Sequence, residues 1–300
     1  RLRSVPASRW QKWIGIALGA AGAYMVYRTS MLKAAGFDSF PKDTAGFLAM
    51  CKALQAKGTP AGMALGNATG DGLWTNWLIW SHGGQLVDKN NNVVINSPET
   101  IKALEYAKEL YATFIPGTLS WLDPNNNKAF LDNQISVTNN GISIYYAAKN
   151  SSNPKIKEIA ADINHAAYPI GPVGTATESH LFFNQMIMKY TKYPNAAKEF
   201  LRFMMEKEQY DPWLTGAGGY IAQPLREYEK TGIWTVDPKH TAYRDGVKNM
   251  RPAGYAGKLG YASAGAGADF IVTNMVAEAA SGSKTPKEAA ERAQKRAECY

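Results

Sequence analysis

From Trp13 to Val26 the chain runs through about 14 mostly apolar residues, interrupted by Gly15, Gly19 and Gly22, and Tyr27-Arg28 then leads straight into a helical pattern. A run of that length is too short to cross a bilayer, which takes about 20 residues. Its basic lead-in, with Arg1, Arg3, Arg9 and Lys12, gives it a superficial likeness to a secretory signal. Glycine weakens a helix by about 1 kcal/mol per residue, and no disordered cleavage region follows, so the stretch reads as folded protein. It divides into a strand in "WIGIAL", a Gly/Ala turn, and a second strand in "AYMVYR".

Downstream, short apolar runs alternate with helical periods. "TSMLKAAGF" reads as a helix stopped by Gly36, and "FPKDTAGFLAMCKALQAKG" as one ended at Gly58. "AGMALG" reads as a short strand. In "DGLWTNWLIWSHGG" helical spacing puts Trp74, Trp77, Leu78 and Ser81 on one face and turns Trp80 away. "QLVDKNNNVVIN" reads as a hairpin. Ser97 and Pro98 then open a helix as N-cap and first helical residue. A helix, the strand "ISVTNN" and an Asn-Gly turn follow, then a strand in "ADINHAAYPIGP" and another in "LFFNQMIMKY". Ala197, Phe200, Leu201 and Met204 keep a period of 3.6. "GAGGYIAQPL" is a hinge candidate, and Thr285, Pro286 and Glu288 open the last helix. This alternation predicts an α/β architecture.

Composition narrows the function. Three hundred residues suffice for two cored lobes. The net charge of +8 comes from 33 Lys+Arg against 25 Asp+Glu, but the bases are scattered among acids, as in "PKEAAERAQKRAE", so no nucleic-acid partner is expected. Two cysteines, Cys51 and Cys299, and four widely spaced histidines build no metal or redox motif, so no metal and no cofactor are expected. There is no "GxSxG", and "GIALGAAG" lacks the lysine of a phosphate loop. An enzyme is not expected; a glycoside hydrolase, needing two carboxylates about 5 to 9.5 Å apart, ranks below a non-catalytic interaction or scaffold protein as the alternative to a binding protein.

Seven segments in order carry a more specific likeness: "YMVYRTSMLKAAGF", "FPKDTAGFLAMCKALQAKG", "WTNWLIWSHGG", "AFLDNQISVTNNGIS", "YPNAAKEFLRFMMEKEQ", "GGYIAQPL" and "MVAEAASGSKTPKEAAERAQKRA". Together they resemble the extracellular solute-binding proteins of carbohydrate-type ABC transporters, the group that includes maltose-binding protein. The resemblance implies a two-lobed periplasmic binding protein fold of type II that closes over a solute. It implies a C-terminal lobe in residues 21–168 and 225–300, and hinge crossings with the remainder of the N-terminal lobe in 1–20 and 169–224. Members of the group generally carry a further hundred or so residues upstream. On that pattern the N-terminal lobe is incomplete in this chain and its strands lack neighbours, and the signal peptide is not present.

The resemblance further implies a solute-binding component of an importer, periplasmic or extracellular and monomeric, which takes a sugar or polyol and delivers it to a membrane permease. It points to Trp74 or Trp77 as the stacking aromatic, with Trp121 and Tyr261 next. Where close relatives read "NGPW" this chain has Asn140-Gly141-Ile142-Ser143, so Tyr145 or Tyr146 stands in for the missing tryptophan. His180, Tyr220 in the second crossing, Tyr261 and Asp269 complete the implied set. Sugar C–H faces pack on aromatic rings and hydroxyls need paired donors and acceptors, which Asn140, Ser143, His180 and Asp269 offer. The group's pattern puts Cys51 and Cys299 in one lobe, and whether they pair is left open.

Overall fold

The computed structural model describes residues 8–9, 12–13, 15–258 and 260–300, with the side chains of 8, 9, 12, 13, 71 and 180 excepted. In chain order the elements are β1 (Ser8–Arg9), β2 (Lys12–Trp13), β3 (Ile16–Gly22), β4 (Tyr24–Arg28), α1 (Thr29–Ala34), α2 (Thr44–Ala56) and α3 (Trp74–Ser81). There follow α4 (Pro98–Tyr111), α5 (Asp123–Leu131), β5 (Val137–Asn140), α6 (Ser143–Lys149), α7 (Pro154–Asp162), β6 (Ile163–Ala166) and β7 (His180–Gln185). The chain closes with α8 (Pro194–Met204), α9 (Lys207–Gly216), α10 (Thr241–Gly246), α11 (Tyr261–Ala268), α12 (Ile271–Ser281) and α13 (Pro286–Ala297). They fall into two compact units, Arg1–Gly22 with His180–Met250 and Ala23–Ser179 with Arg251–Tyr300.

The larger unit is built on an antiparallel sheet in the order β5-β4-β6. Its register sets Tyr24 opposite Asn140 and Tyr27 opposite Val137, with Val26 opposite His165 on the other side. The helices around it begin and end where local chemistry dictates. Gly36 and Gly58 take the left-handed φ of +92° and +75° just beyond α1 and α2, a region that costs other residues steric strain. The Asp43 carboxylate accepts the Gly46 amide at 2.8 Å, and Ser97 Oγ accepts that of Thr100 at 3.2 Å. Thr285 and Glu288 form a reciprocal capping box at the start of α13. Phe47, Met50, Leu54, Trp74, Trp77, Leu104 and Val276 are wholly buried, each contributing roughly 1.5–3 kcal/mol of apolar burial. Ala103, Ala107, Ala279, Ala289 and Ala290, also buried, keep the contact faces of α4, α12 and α13 small.

Several local expectations change in the structure. "GAAG" is not a turn: β3 runs through it, and Gly19 serves close packing, since a Cβ there would lie 2.4 Å from the Ile221 side chain and 2.7 Å from the Ala222 carbonyl. "AGMALG" makes no strand, because Ala61 forms only isolated bridges to Phe114 and Val137. The expected hairpin reduces to a single Val87–Val93 bridge. Its tip is held by the Asp88 carboxylate, which accepts the amides of Asn90 and Asn92. Cys51, buried on α2, and Cys299, exposed after α13, are both free thiols.

In the smaller unit β3 pairs antiparallel with β7, and Ala20 also exchanges two backbone hydrogen bonds with Ala222, at 3.0 and 2.8 Å. Tyr210 reaches under β3 to donate its hydroxyl to the Leu18 carbonyl at 2.6 Å. α8 has the expected helical period, yet none of its residues is buried. Phe200 and Phe203 stay exposed, as do Met186, Met188 and Tyr190 after β7, and an open groove of about 490 Å³ is lined by Met186, Met188, Tyr190 and Phe200.

The unit boundaries also move from the expected ones. Residues 225–250 belong with the smaller unit, because the Tyr228 ring packs on Tyr210 at 4.3 Å and its hydroxyl donates to the Met205 carbonyl. Residues 169–179 belong with the larger one. Ile170 bonds Lys42 through its amide, and Gly171 presses so close to Ser81 that a Cβ would come within 2.4 Å of its carbonyl oxygen.

Candidate functional site

One end of the β5-β4-β6 sheet collects neutral hydrogen-bonding side chains. Asn140 closes β5 opposite Tyr24, the first residue of β4. Its Nδ2 donates to Asn127 Oδ1 at 2.7 Å and to Ser143 Oγ at 3.1 Å. Asn127 reaches this point because α5 is started locally: Asn125 Oδ1 accepts the Leu122 amide at 2.7 Å, and Pro124 is pre-set for the first turn. The neighbouring Asn126 is wholly buried, and its Nδ2 donates to the Asn139 carbonyl at 3.0 Å. Tyr145, on α6, is buried edge-on to Tyr146 and His165 at centroid distances of 5.7 and 6.0 Å. The Lys149 ammonium lies 5.3 Å from the Tyr145 centroid. Amide and hydroxyl groups each offer donors and acceptors, so the arrangement suits an uncharged polar ligand better than an ion.

Of the residues expected from the sequence, this cluster joins Asn140 and Ser143, while Tyr145 packs separately against Tyr146 and His165. Trp74 and Trp77 are corrected: both are wholly buried and belong to the core. Trp74 donates Nε1 to the Ala64 carbonyl at 2.7 Å and sets its edge against Phe114. Trp77 donates to the Pro169 carbonyl and stacks on Tyr168. α3 is apolar on nearly every side, as the equally buried Trp80 shows, and such a helix is enclosed by protein rather than offered to a solute.

The remaining expected residues lie elsewhere. His180 opens β7 opposite Gly22, and its side chain is outside the described set. Tyr220, in the smaller unit, is exposed, and so is Tyr261 at the first turn of α11. Asp269 is the residue that closes α11 at its C-terminal end. Its carbonyl accepts from Arg296 at 2.7 Å, and its carboxylate raises the pKa of the Tyr300 hydroxyl by hydrogen bonding to it. That is a role in tethering the C-terminal helix.

Sequence reading missed Asn126 and Asn127. The available signal was the run of three asparagines just inside a Pro-initiated helix, where Asn has poor propensity and needs another reason to be present. It also missed Gln223, 1% exposed, whose side-chain oxygen and nitrogen have no hydrogen-bond partner among the described residues. Among the described residues no group of three His, Cys, Asp or Glu could hold a metal ion, and no helix is long and apolar enough to cross a membrane.

Residues 4–242 match the bacterial extracellular solute-binding protein family. The chain belongs to that family. That family is one of solute-binding proteins. A probable ABC transporter-binding protein of Deinococcus radiodurans is 25% identical over 189 residues, 60% of this chain and 44% of that protein, so the chain spans less than half the length of this curated relative. Maltose-bound MalE3 of T. maritima superposes with a TM-score of 0.81 at 17% identity, covering 99% of this chain and 75% of that one. A sugar transporter of Arthrobacter chlorophenolicus A6 with bound laminaribiose gives 0.82 at 16% identity, with the same coverage. A solute-binding protein of Agrobacterium vitis S4 with bound D-mannitol gives 0.75 at 17%, covering 97% and 73%. These likenesses establish the two-lobed α/β binding-protein fold that the resemblance implied.

Proposed function

We propose that this protein is the solute-binding component of an ABC importer. It takes a neutral sugar or polyol outside the cytoplasmic membrane and presents it to the membrane permease. The observation that carries this reading is the Asn127–Asn140–Ser143 cluster. Its amides and hydroxyls are neutral, and they alternate donors with acceptors as a polyhydroxy ligand requires. Family membership supports the transport role, and the sugars and polyol bound by the structural relatives support the solute class.

The test is a thermal-shift screen of the purified protein with maltose, laminaribiose, D-mannitol, charged amino acids and short peptides. Binding to the native state alone adds about 2.7 kcal/mol of stability at a hundred times Kd, a readily measured rise in Tm. A shift with a carbohydrate or polyol is expected. Shifts confined to amino acids or peptides would overturn the reading.

A further inference from the structure

The asparagine cluster divides its hydrogen-bonding atoms unequally, and the division bears on which solutes it can take. Asn126 is wholly buried on α5. Its Nδ2 donates to the Asn139 carbonyl at 3.0 Å and its Oδ1 accepts the Asn127 amide at 2.8 Å, so one side chain clamps the backbone of α5 to that of β5. Both ends of this carboxamide are used within the fold. The clamp acts one residue before Asn127 on the helix and one residue before Asn140 on the strand, which leaves those two little freedom to slide past each other.

Asn127 is placed differently. It is half-buried, and its Oδ1 is taken up by Asn140 Nδ2 at 2.7 Å. Its own Nδ2 has no partner among the described residues. The Asn140 amide holds the Asn127 carboxamide in one orientation, because turning it over would set N–H groups against each other. What Asn127 keeps for a ligand is therefore a pair of N–H donors on an uncharged group. Ser143 differs, since a hydroxyl rotates to donate or accept and so suits a solute hydroxyl either way round. A group that only donates is matched best by an oxygen that only accepts. In a cyclic sugar that is the ring or glycosidic oxygen, and an open-chain polyol has none.

We propose that Asn127 is a specificity-determining residue which donates to a ring or glycosidic oxygen of the solute, with Asn126 as the positioning residue behind it. This rests on the sugar-binding reading given above. The test is calorimetric titration of wild type, Asn127→Asp and Asn127→Ala with maltose, laminaribiose and D-mannitol, together with melting curves recorded without solute. Aspartate has the shape of asparagine and keeps an oxygen for Asn140, but as a carboxylate it has no hydrogen to give. Asn127→Asp should lose at least ~10-fold in disaccharide affinity, because an ether oxygen then faces an acceptor it cannot pair with. Asn127→Ala should lose about three- to tenfold, the weight of one net hydrogen bond. Mannitol, whose hydroxyls can turn to donate to the carboxylate, should respond little to Asn127→Asp.

Equal disaccharide affinity in wild type and Asn127→Asp would overturn the assignment and leave the proposed function standing. The assignment also falls if Asn127→Ala loses affinity while Asn127→Asp keeps it, since the shared oxygen would then be what matters, or if wild type binds mannitol alone. Should the aspartate variant show no cooperative melting, Asn127→Ala decides, and unchanged affinity there counts against the assignment. A wild type that binds none of the three overturns the proposed function and this inference together.

Discussion

The indole of Trp77 lies stacked on the ring of Tyr168, with centroids 5.0 Å apart and planes 21° from parallel, while its Nε1 donates to the Pro169 carbonyl at 2.9 Å. Phe47 meets the same indole edge-on at 6.3 Å. This side chain fastens α3 to the segment that follows β6, and it leaves no ring face for a solute. Trp77→Ala is therefore expected to cost about 3–5 kcal/mol, the usual range for deleting a large buried aromatic. Urea unfolding would measure it. The fraction that remains folded should bind solute as wild type does.

Arg28 and Asp162 join the end of β4 to the end of α7. Arg28 Nε lies 2.7 Å from Asp162 Oδ2, and the Ser30 amide and hydroxyl donate to the same carboxylate at 2.7 and 2.6 Å. Burial by itself raises the carboxyl pKa, but the bonds from Ser30 and Arg28 outweigh it and hold the group below its ordinary value. A carboxylate depressed in the folded state stabilises fully above its unfolded pKa of about 3.9, and that stability is lost as pH falls through the folded value. Asp162→Asn should cost on the order of 1 kcal/mol at pH 7, reduced by solvent screening because the carboxylate is one-fifth exposed. The gap between the unfolding free energies of the two proteins at pH 7 should narrow progressively as the pH is lowered below about 4.

Gln223 is fixed from both sides: Ala222 is bonded to Ala20 in both directions, and Pro224 holds the preceding residue to an extended backbone. Its carboxamide has no partner among the described residues. An unpaired buried amide costs stability, and an apolar side chain of similar size removes that cost. Gln223→Leu should raise the unfolding free energy by on the order of 1 kcal/mol. A lower Tm for this variant would show that the amide is satisfied in solution.

The two cysteines should differ sharply in reactivity. Burial pushes the Cys51 thiol well above its ordinary pKa, so the nucleophilic thiolate is scarce, whereas Cys299 is exposed at the end of the chain. Under native, non-reducing conditions an aromatic disulfide reagent should titrate one thiol quickly, and a second only after denaturation. Loss of the fast thiol on Cys299→Ser would complete the assignment.

Most helices were legible because their ends are written locally. Ser97-Pro98, Thr285 with Glu288, and the glycines at 36 and 58 act within a few residues of themselves, and each marks a boundary that the structure keeps to within about two residues. The order of those elements carried the family. "GAAG" was misread because a glycine that opens a turn and one that admits a neighbouring backbone look alike in sequence. What distinguishes Gly19 is Ala222, about two hundred residues away.

The site divides in the same way. Asn140 and Ser143 were named through the resemblance, at the place where relatives read "NGPW", and the structure bonds them to each other. Asn127 needed the fold, because its bond to Asn140 joins α5 to the last residue of β5. The tryptophans show the limit most clearly. Helical spacing gave Trp74 and Trp77 a shared face, but periodicity states which residues lie together and not what covers them. Whether an indole is buried in the core is decided by the partners that arrive from distant segments, Tyr168 and Pro169 for Trp77.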